Sequence, residues 1–166
     1  MKFTIAHEFD CDAKTFWEVF FNEEYTREMY SQLQIKEREV QLFEENDQEI
    51  RRRIKILPQR DLPGAIKSLL RGDLGYIEHN VFHKGRDAMD VRIEPTLMKD
   101  RFKMEGVFRV VTLRPGRIRR EFAGTLEVSV PLLGGQIEKL VMADVQKSYE
   151  AAAKVTARWV AARSQK

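Results

Sequence analysis

Three histidines, one cysteine and an arginine set between isoleucines are the residues from which chemistry would have to be built in this chain. His7 falls among Phe3, Ile5 and Phe9 in an alternating run, and Arg52 falls between Ile50 and Ile54, so both are predicted to face an apolar side. A lone histidine on such a face is either a satisfied core residue or a general acid or base. A guanidinium there needs a partner, because an unpaired buried charge is costly. That partner is an internal carboxylate, for which Asp144 is the candidate, or the acidic group of a ligand such as a fatty acid or a phospholipid head.

The other polar residues offer less. His79 and His83 are four apart, which on a helix would bring them together, but on the strand predicted there they stand about 13 Å apart and cannot share an ion. No metal and no cofactor is expected. The sequence holds no G-x-S-x-G elbow, no phosphate-binding P-loop, no G-x-G-x-x-G and no H-E-x-x-H, so the common hydrolase, nucleotide and zinc-protease chemistries have no motif here.

Bulk properties exclude further classes. The chain has 166 residues, 43% hydrophobic and 33% charged, the mix of a folded water-exposed protein large enough to bury a core. No run approaches the roughly 20 apolar residues of a membrane span, the first ten residues lack a secretory pattern, and the single Cys11 rules out an internal disulfide, so a cytoplasmic location is expected. A net charge of +3 is too small for a dedicated nucleic-acid binder.

The elements that must position His7 and Arg52 follow from periodicity. Residues 2–9 alternate as a strand. Asp12 is placed to cap a helix from Ala13, on which Phe16, Trp17, Phe20 and Phe21 crowd, and a second short helix spans about Glu23 to Ser31. Trp17 and Phe21 exceed one stripe and either pack in the core or line a cavity or interface. Three hairpins follow: Gln34–Phe43 with Gln48–Leu57 around Asn46-Asp47, Tyr76–His83 with Ala88–Glu94 around KGRD, and Phe102–Leu113 with Arg117–Val130 around Arg114-Pro115-Gly116. Asn46-Asp47 and Gly116 are expected to supply positive φ. Between the first two hairpins, Pro63 to Arg71 reads as a short basic amphipathic helix with Ile66, Leu69 and Leu70 on one side and Lys67 and Arg71 beside them. The last helix, Gly135 to Ala162, is about 40 Å long and carries Ile137, Val141, Val145, Ser148, Ala152, Val155 and Trp159 as one stripe that only a sheet can cover. The fold class is therefore α+β, one domain over residues 1–166, with a seven-stranded antiparallel sheet.

The corner "VPLLGGQ", Val130 to Gln136, is greasy where a merely soluble turn would be polar. Pro131 ends the strand, Gly134-Gly135 is expected to free the turn, and Leu132 and Leu133 either cap a solid core or line a doorway.

The order strand, two helices, six strands, long helix resembles the START-like or helix-grip superfamily, to which the birch-pollen allergen and the polyketide cyclases belong. The segment "FAGTLEVSVPLLGGQIEKLV", Phe122 to Val141, is similar to the strand-to-helix joint of a branch of unknown function. The resemblance implies a curved sheet gripping the last helix around an apolar cavity for lipids, sterols or other hydrophobic molecules. Gly106 and Gly124, on the apolar faces of adjacent strands, permit such curvature.

The residues expected to line such a cavity are Arg52 and Ile54, then Met104, Phe108 and Val110, then Phe122 and Leu126, Leu133 at the corner, and Val141, Val145, Ser148 and Ala152 on the helix. His7, Arg52 and Asp144 are its candidate polar groups, and Arg120 is an exception on the apolar face of the last strand. The leading function is non-enzymatic binding or transport of a hydrophobic small molecule or lipid. The alternatives are a cyclase- or hydrolase-like enzyme using inward polar residues, and an interaction module. Arg51, Arg53, Lys55, Arg109, Arg117 and Arg119 form the opposite, convex face, which is either solvated among Glu121 and Glu127 or makes transient contact with an anionic membrane or an acidic partner.

Overall fold

The computed structural model describes residues 1–59, 61, 63–70 and 72–164. The expectations for Arg71, and for the side chains of Leu69 and Leu70, lie outside the described residues.

Among the described residues the elements follow the predicted order, with one 3-10 turn added. Strand β1 (Lys2–Phe9) leads into helices α1 (Ala13–Phe20) and α2 (Glu23–Gln32), then β2 (Ile35–Glu45), β3 (Glu49–Pro58), α3 (Gly64–Leu70), β4 (Tyr76–His83) and β5 (Ala88–Pro95). A 3-10 turn (Lys99–Arg101) precedes β6 (Phe102–Arg114), β7 (Arg117–Val128) and α4 (Gly134–Ser164). The strands form one curved antiparallel sheet in the order β1-β7-β6-β5-β4-β3-β2, so β1 and β2 are its edges. Strands consecutive in sequence give every neighbour but one. The exception is β1, which closes onto β7 with Phe3 opposite Gly124 and His7 opposite Arg120.

Local chemistry fixes the helix starts. The Asp12 carboxylate accepts from the Thr15 amide at 2.7 Å and the Asn22 side chain from the Tyr25 amide at 2.9 Å, each satisfying one of the free amides of a first turn. Their aromatic cargo then seals one end of the sheet. Trp17 lies 4.3 Å from Phe82 between ring centroids, and Phe16 packs against Phe108, so the surplus ring of α1 is core. Helix α2 is tied to α4 by the Tyr25 hydroxyl, 2.8 Å from Thr156 Oγ1, and by Trp159 Nε1 donating to Glu28 at 2.7 Å.

Two turns differ from expectation in mechanism. Neither Asn46 nor Asp47 takes positive φ; Asn46 Oδ1 instead accepts from the amides of Gln48 and Glu49, so the side chain shapes the turn. Gly116 does supply the left-handed residue of the last hairpin, at φ 74°. At the corner before α4 the left-handed residue is Leu132, at φ 66°, and neither glycine of the pair. Gly134 is required for a different reason: a Cβ there would stand 2.3 Å from the Val128 carbonyl.

Leu132 is also 99% exposed, so nothing offsets the strain of its backbone. Replacing it with glycine is expected to stabilise the protein by about 1 kcal/mol, read as a raised thermal midpoint. Leu133 turns inward and packs, partly buried, on the core.

Candidate functional site

Helix α4 does not lie flat on the sheet along its whole length. Between the two is a cavity of about 410 Å³, walled by Val141, Val145, Ser148 and Ala152 of α4, by Met104, Phe108 and Phe122 of β6 and β7, and by Phe20, Met29 and Tyr30 of the first two helices. Its mouth is marked by lining residues that are exposed, Gln32, Gln34, Gln59 and Lys147. The space lies between the curved sheet, the first two helices and α4.

Not every expected residue reaches the wall. Arg52, Met104, Phe108, Phe122, Val141, Asp144, Val145, Ser148 and Ala152 line the cavity. Ile54, Val110 and Leu126 are buried but stand outside the wall, Leu133 belongs to the corner, and His7 lies behind the lining. Strand alternation gives the face a residue takes, and what fills the space over that face depends on the path of a distant helix.

The polar part of the wall is richer than His7, Arg52 and Asp144. Arg38, Glu78, Arg120, Tyr30 and Tyr149 also line it. Arg52 lies over the rings of Phe20 and Phe21, at 5.2 and 5.0 Å, and its Nη2 reaches Met89 Sδ at 3.8 Å. Burial pushes its guanidinium below the usual value while the charge of Glu78 opposes that shift, so Glu78 is an acidic group that acts on Arg52. Glu78 in turn accepts from Asn80 Nδ2 at 2.6 Å. Arg38 sits 4.7 Å over the Tyr30 ring, and burial pushes the Tyr30 hydroxyl up to about 12, with Glu78 adding to the rise. Burial likewise raises Tyr149.

Arg120 stands at the other end of the wall, stacked on Phe9 at 5.3 Å and Tyr149 at 5.2 Å, and Tyr149 stacks on Phe122 at 5.5 Å. Its Nη2 donates to His7 Nδ1 at 2.9 Å and to the Tyr149 carbonyl at 3.2 Å, pinning β1, β7 and α4 together. Because arginine only donates, His7 Nδ1 accepts and the His7 ring is neutral, with its proton on Nε2. The sequence signal for Arg120 was plain: one charged residue on an otherwise apolar strand face.

Burial, and then the charge of Arg120, hold His7 below its ordinary value of 6.5, against a smaller opposite pull from Glu150. On acidification the unfolded chain therefore takes up the proton first, and the stability contributed by neutral His7 is lost as pH falls from 6.5 toward the lowered value. Wild type is expected to lose more stability than His7→Asn, which keeps an acceptor for Arg120 but cannot titrate, between about pH 7.5 and about pH 5. Paired chemical denaturation of the two proteins checks this.

The remaining candidates resolve into local pairs. His79 meets Glu94 at 3.1 Å and His83 meets Asp90 at 2.8 Å, and no group of three metal-ligating side chains forms among the described residues. Burial pushes the Cys11 thiol up to about 11, which leaves it unreactive. On the convex face Arg109 and Arg119 both pair with Glu121, and Arg117 reaches Glu8 and Asp10. Among the described residues no helix is long and apolar enough to cross a membrane.

A seven-stranded antiparallel sheet curved around a long C-terminal helix, with two short helices after the first strand, is the helix-grip fold. The chain belongs to the family described as Protein of unknown function (DUF2505), which it matches over residues 4–160. Solved structures agree on the fold. A protein from Thermus thermophilus superposes with TM-score 0.68 at 17% identity, covering 99% of each chain. The Zhui aromatase/cyclase from a Streptomyces species gives 0.66 at 14%, covering 98% of this chain and 94% of the other. A START superfamily protein from Mycobacterium smegmatis gives 0.55 at 18%, covering 96% of each. At these identities the likeness is one of fold. No curated protein matches the chain.

Proposed function

We propose that this chain, as one unit over residues 1–166, binds or carries a hydrophobic small molecule or lipid between the sheet and α4, in the cytoplasm, without transforming it. The observation that carries the reading is the cavity itself. Its volume of about 410 Å³ falls within the roughly 300–1,000 Å³ of small-molecule sites. Protein interiors are otherwise packed nearly without voids, so an apolar space of this size under a long helix needs an occupant or a use.

The test is native purification followed by organic extraction and mass spectrometry. A recurring apolar compound in stoichiometric amount supports the reading. Empty extracts, together with no binding of short-chain amphiphiles, overturn it.

A second reading, a cyclase-like enzyme, has its own support in the convergence of Tyr30, Arg38, Glu78 and Arg52 on one wall. Acid–base work requires groups that meet a substrate at one place. Recovering the bound compound chemically unchanged after long incubation favours the carrier, and its conversion favours the enzyme.

A further inference from the structure

Arg120 is 3% exposed, yet no carboxylate forms an ion pair with it among the described residues. Its two hydrogen bonds both run through Nη2, to a neutral imidazole and a backbone carbonyl. Its Nε is buried without any partner. The faces of Phe9, Tyr149 and, at 6.0 Å, Phe108 supply only the weak negative field of aromatic rings. A full positive charge therefore stands at the wall of an apolar cavity with no anion against it, an arrangement costly for the empty protein.

The other cations of the wall differ. Arg38 lies over the Tyr30 ring and bonds its hydroxyl, Arg52 has the charge of Glu78 acting on it, and Lys147 stands exposed at the mouth, where water solvates it. At Arg120, the most buried of these cations, a ligand would bring the missing charge. The requirement is also for one charge and no more: a phosphate dianion would leave an excess negative charge in the same apolar surroundings.

Resting on the carrier reading, we infer that the ligand is an amphipathic monocarboxylate, its head against Arg120 and its apolar body running past Phe122 and Met104 toward the mouth. Arg120 thus has two tasks. Nη2 fastens the helix to the sheet, and the charge left over selects the ligand head.

The experiment compares decanoate with 1-decanol, which share an apolar body and differ in the head, on wild type, Arg120→Met and Arg52→Met by titration calorimetry. Wild type is expected to prefer decanoate. In Arg120→Met the Kd for decanoate is expected to rise about thirtyfold, while that for 1-decanol changes less than about threefold. Arg52→Met is expected to have the smaller effect on the head preference.

Equal binding of both probes, or equal weakening of both by Arg120→Met, overturns the inference and leaves the apolar cavity as the binding site. Binding of neither probe overturns the carrier reading and the inference with it. A measurement on wild type needs no variant: NOEs from the C2 protons of decanoate to the Phe9, Phe108 and Tyr149 rings support the inference. NOEs from those protons to Gln34 and Lys147 at the mouth overturn it.

Discussion

Gly124→Ala is expected to destabilise the protein by about 3 kcal/mol, seen as a lowered urea midpoint with an unchanged slope. Gly124 and Gly106 face each other in register across β7 and β6. A Cβ on Gly124 would stand 2.2 Å from the Glu105 carbonyl oxygen and 2.7 Å from the Gly106 Cα. One on Gly106 would stand 2.6 Å from the Ala123 oxygen. These neighbours are backbone, fixed by the ladder on both sides, so no rotamer change relieves the clash and the two strands must separate. Gly135→Ala is the matched comparison: it is exposed, helical and meets nothing within 4 Å, so it is expected to be neutral or slightly stabilising. A loss below about 1 kcal/mol in Gly124→Ala would mean that the strands part easily there.

This glycine pair ties fold to site. The close approach of β6 and β7 lies next to Phe122 and Met104, two residues of the cavity wall, so parting the strands there would move the wall. In sequence the same pair was legible as two glycines on apolar faces. The order of elements was equally legible, because periods of two and of about 3.6 separate cleanly here and each hairpin carries its own turn chemistry. The strands Tyr76–His83 and Phe102–Arg114 show this, with ends within a residue of the pattern.

The site was legible only in part, for a physical reason. Face assignments placed Phe108, Phe122 and the α4 stripe correctly, since they depend on one element at a time. Whether Val110 or Phe108 meets empty space depends on where α1 and α4 lie over the sheet, which no local pattern encodes. Polar groups were harder still. An acid that acts on Arg52 is Glu78, on the adjacent strand and diagonal to it, and no local pattern in the sequence pointed to it. Arg120 was visible as a break in the alternation of β7. Its meaning came only with its neighbours, because a buried arginine is ordinary beside a carboxylate and unusual beside a neutral histidine.

Ser148→Trp is expected to abolish most ligand binding while leaving the fold intact. Ser148 lies on α4 between Val145 and Ala152 on the cavity side, and its side chain lines the space. An indole there would grow into existing volume whose wall includes the apolar Val141 and Met104, so burial of new apolar area offsets the entropy of fixing the ring. The thermal midpoint should hold or rise. If the ring displaces about three methylenes of a decanoate or 1-decanol chain, binding weakens by about 2.4 kcal/mol, or about fiftyfold in Kd. Both probes should suffer alike, because the body and not the head loses its place. That equal loss separates this variant from Arg120→Met, whose effect falls on the charged probe. A Ser148→Trp protein that melts far below wild type would show that the space under α4 is too narrow to accept a ring. One that binds both probes as wild type does would place the site elsewhere on the molecule.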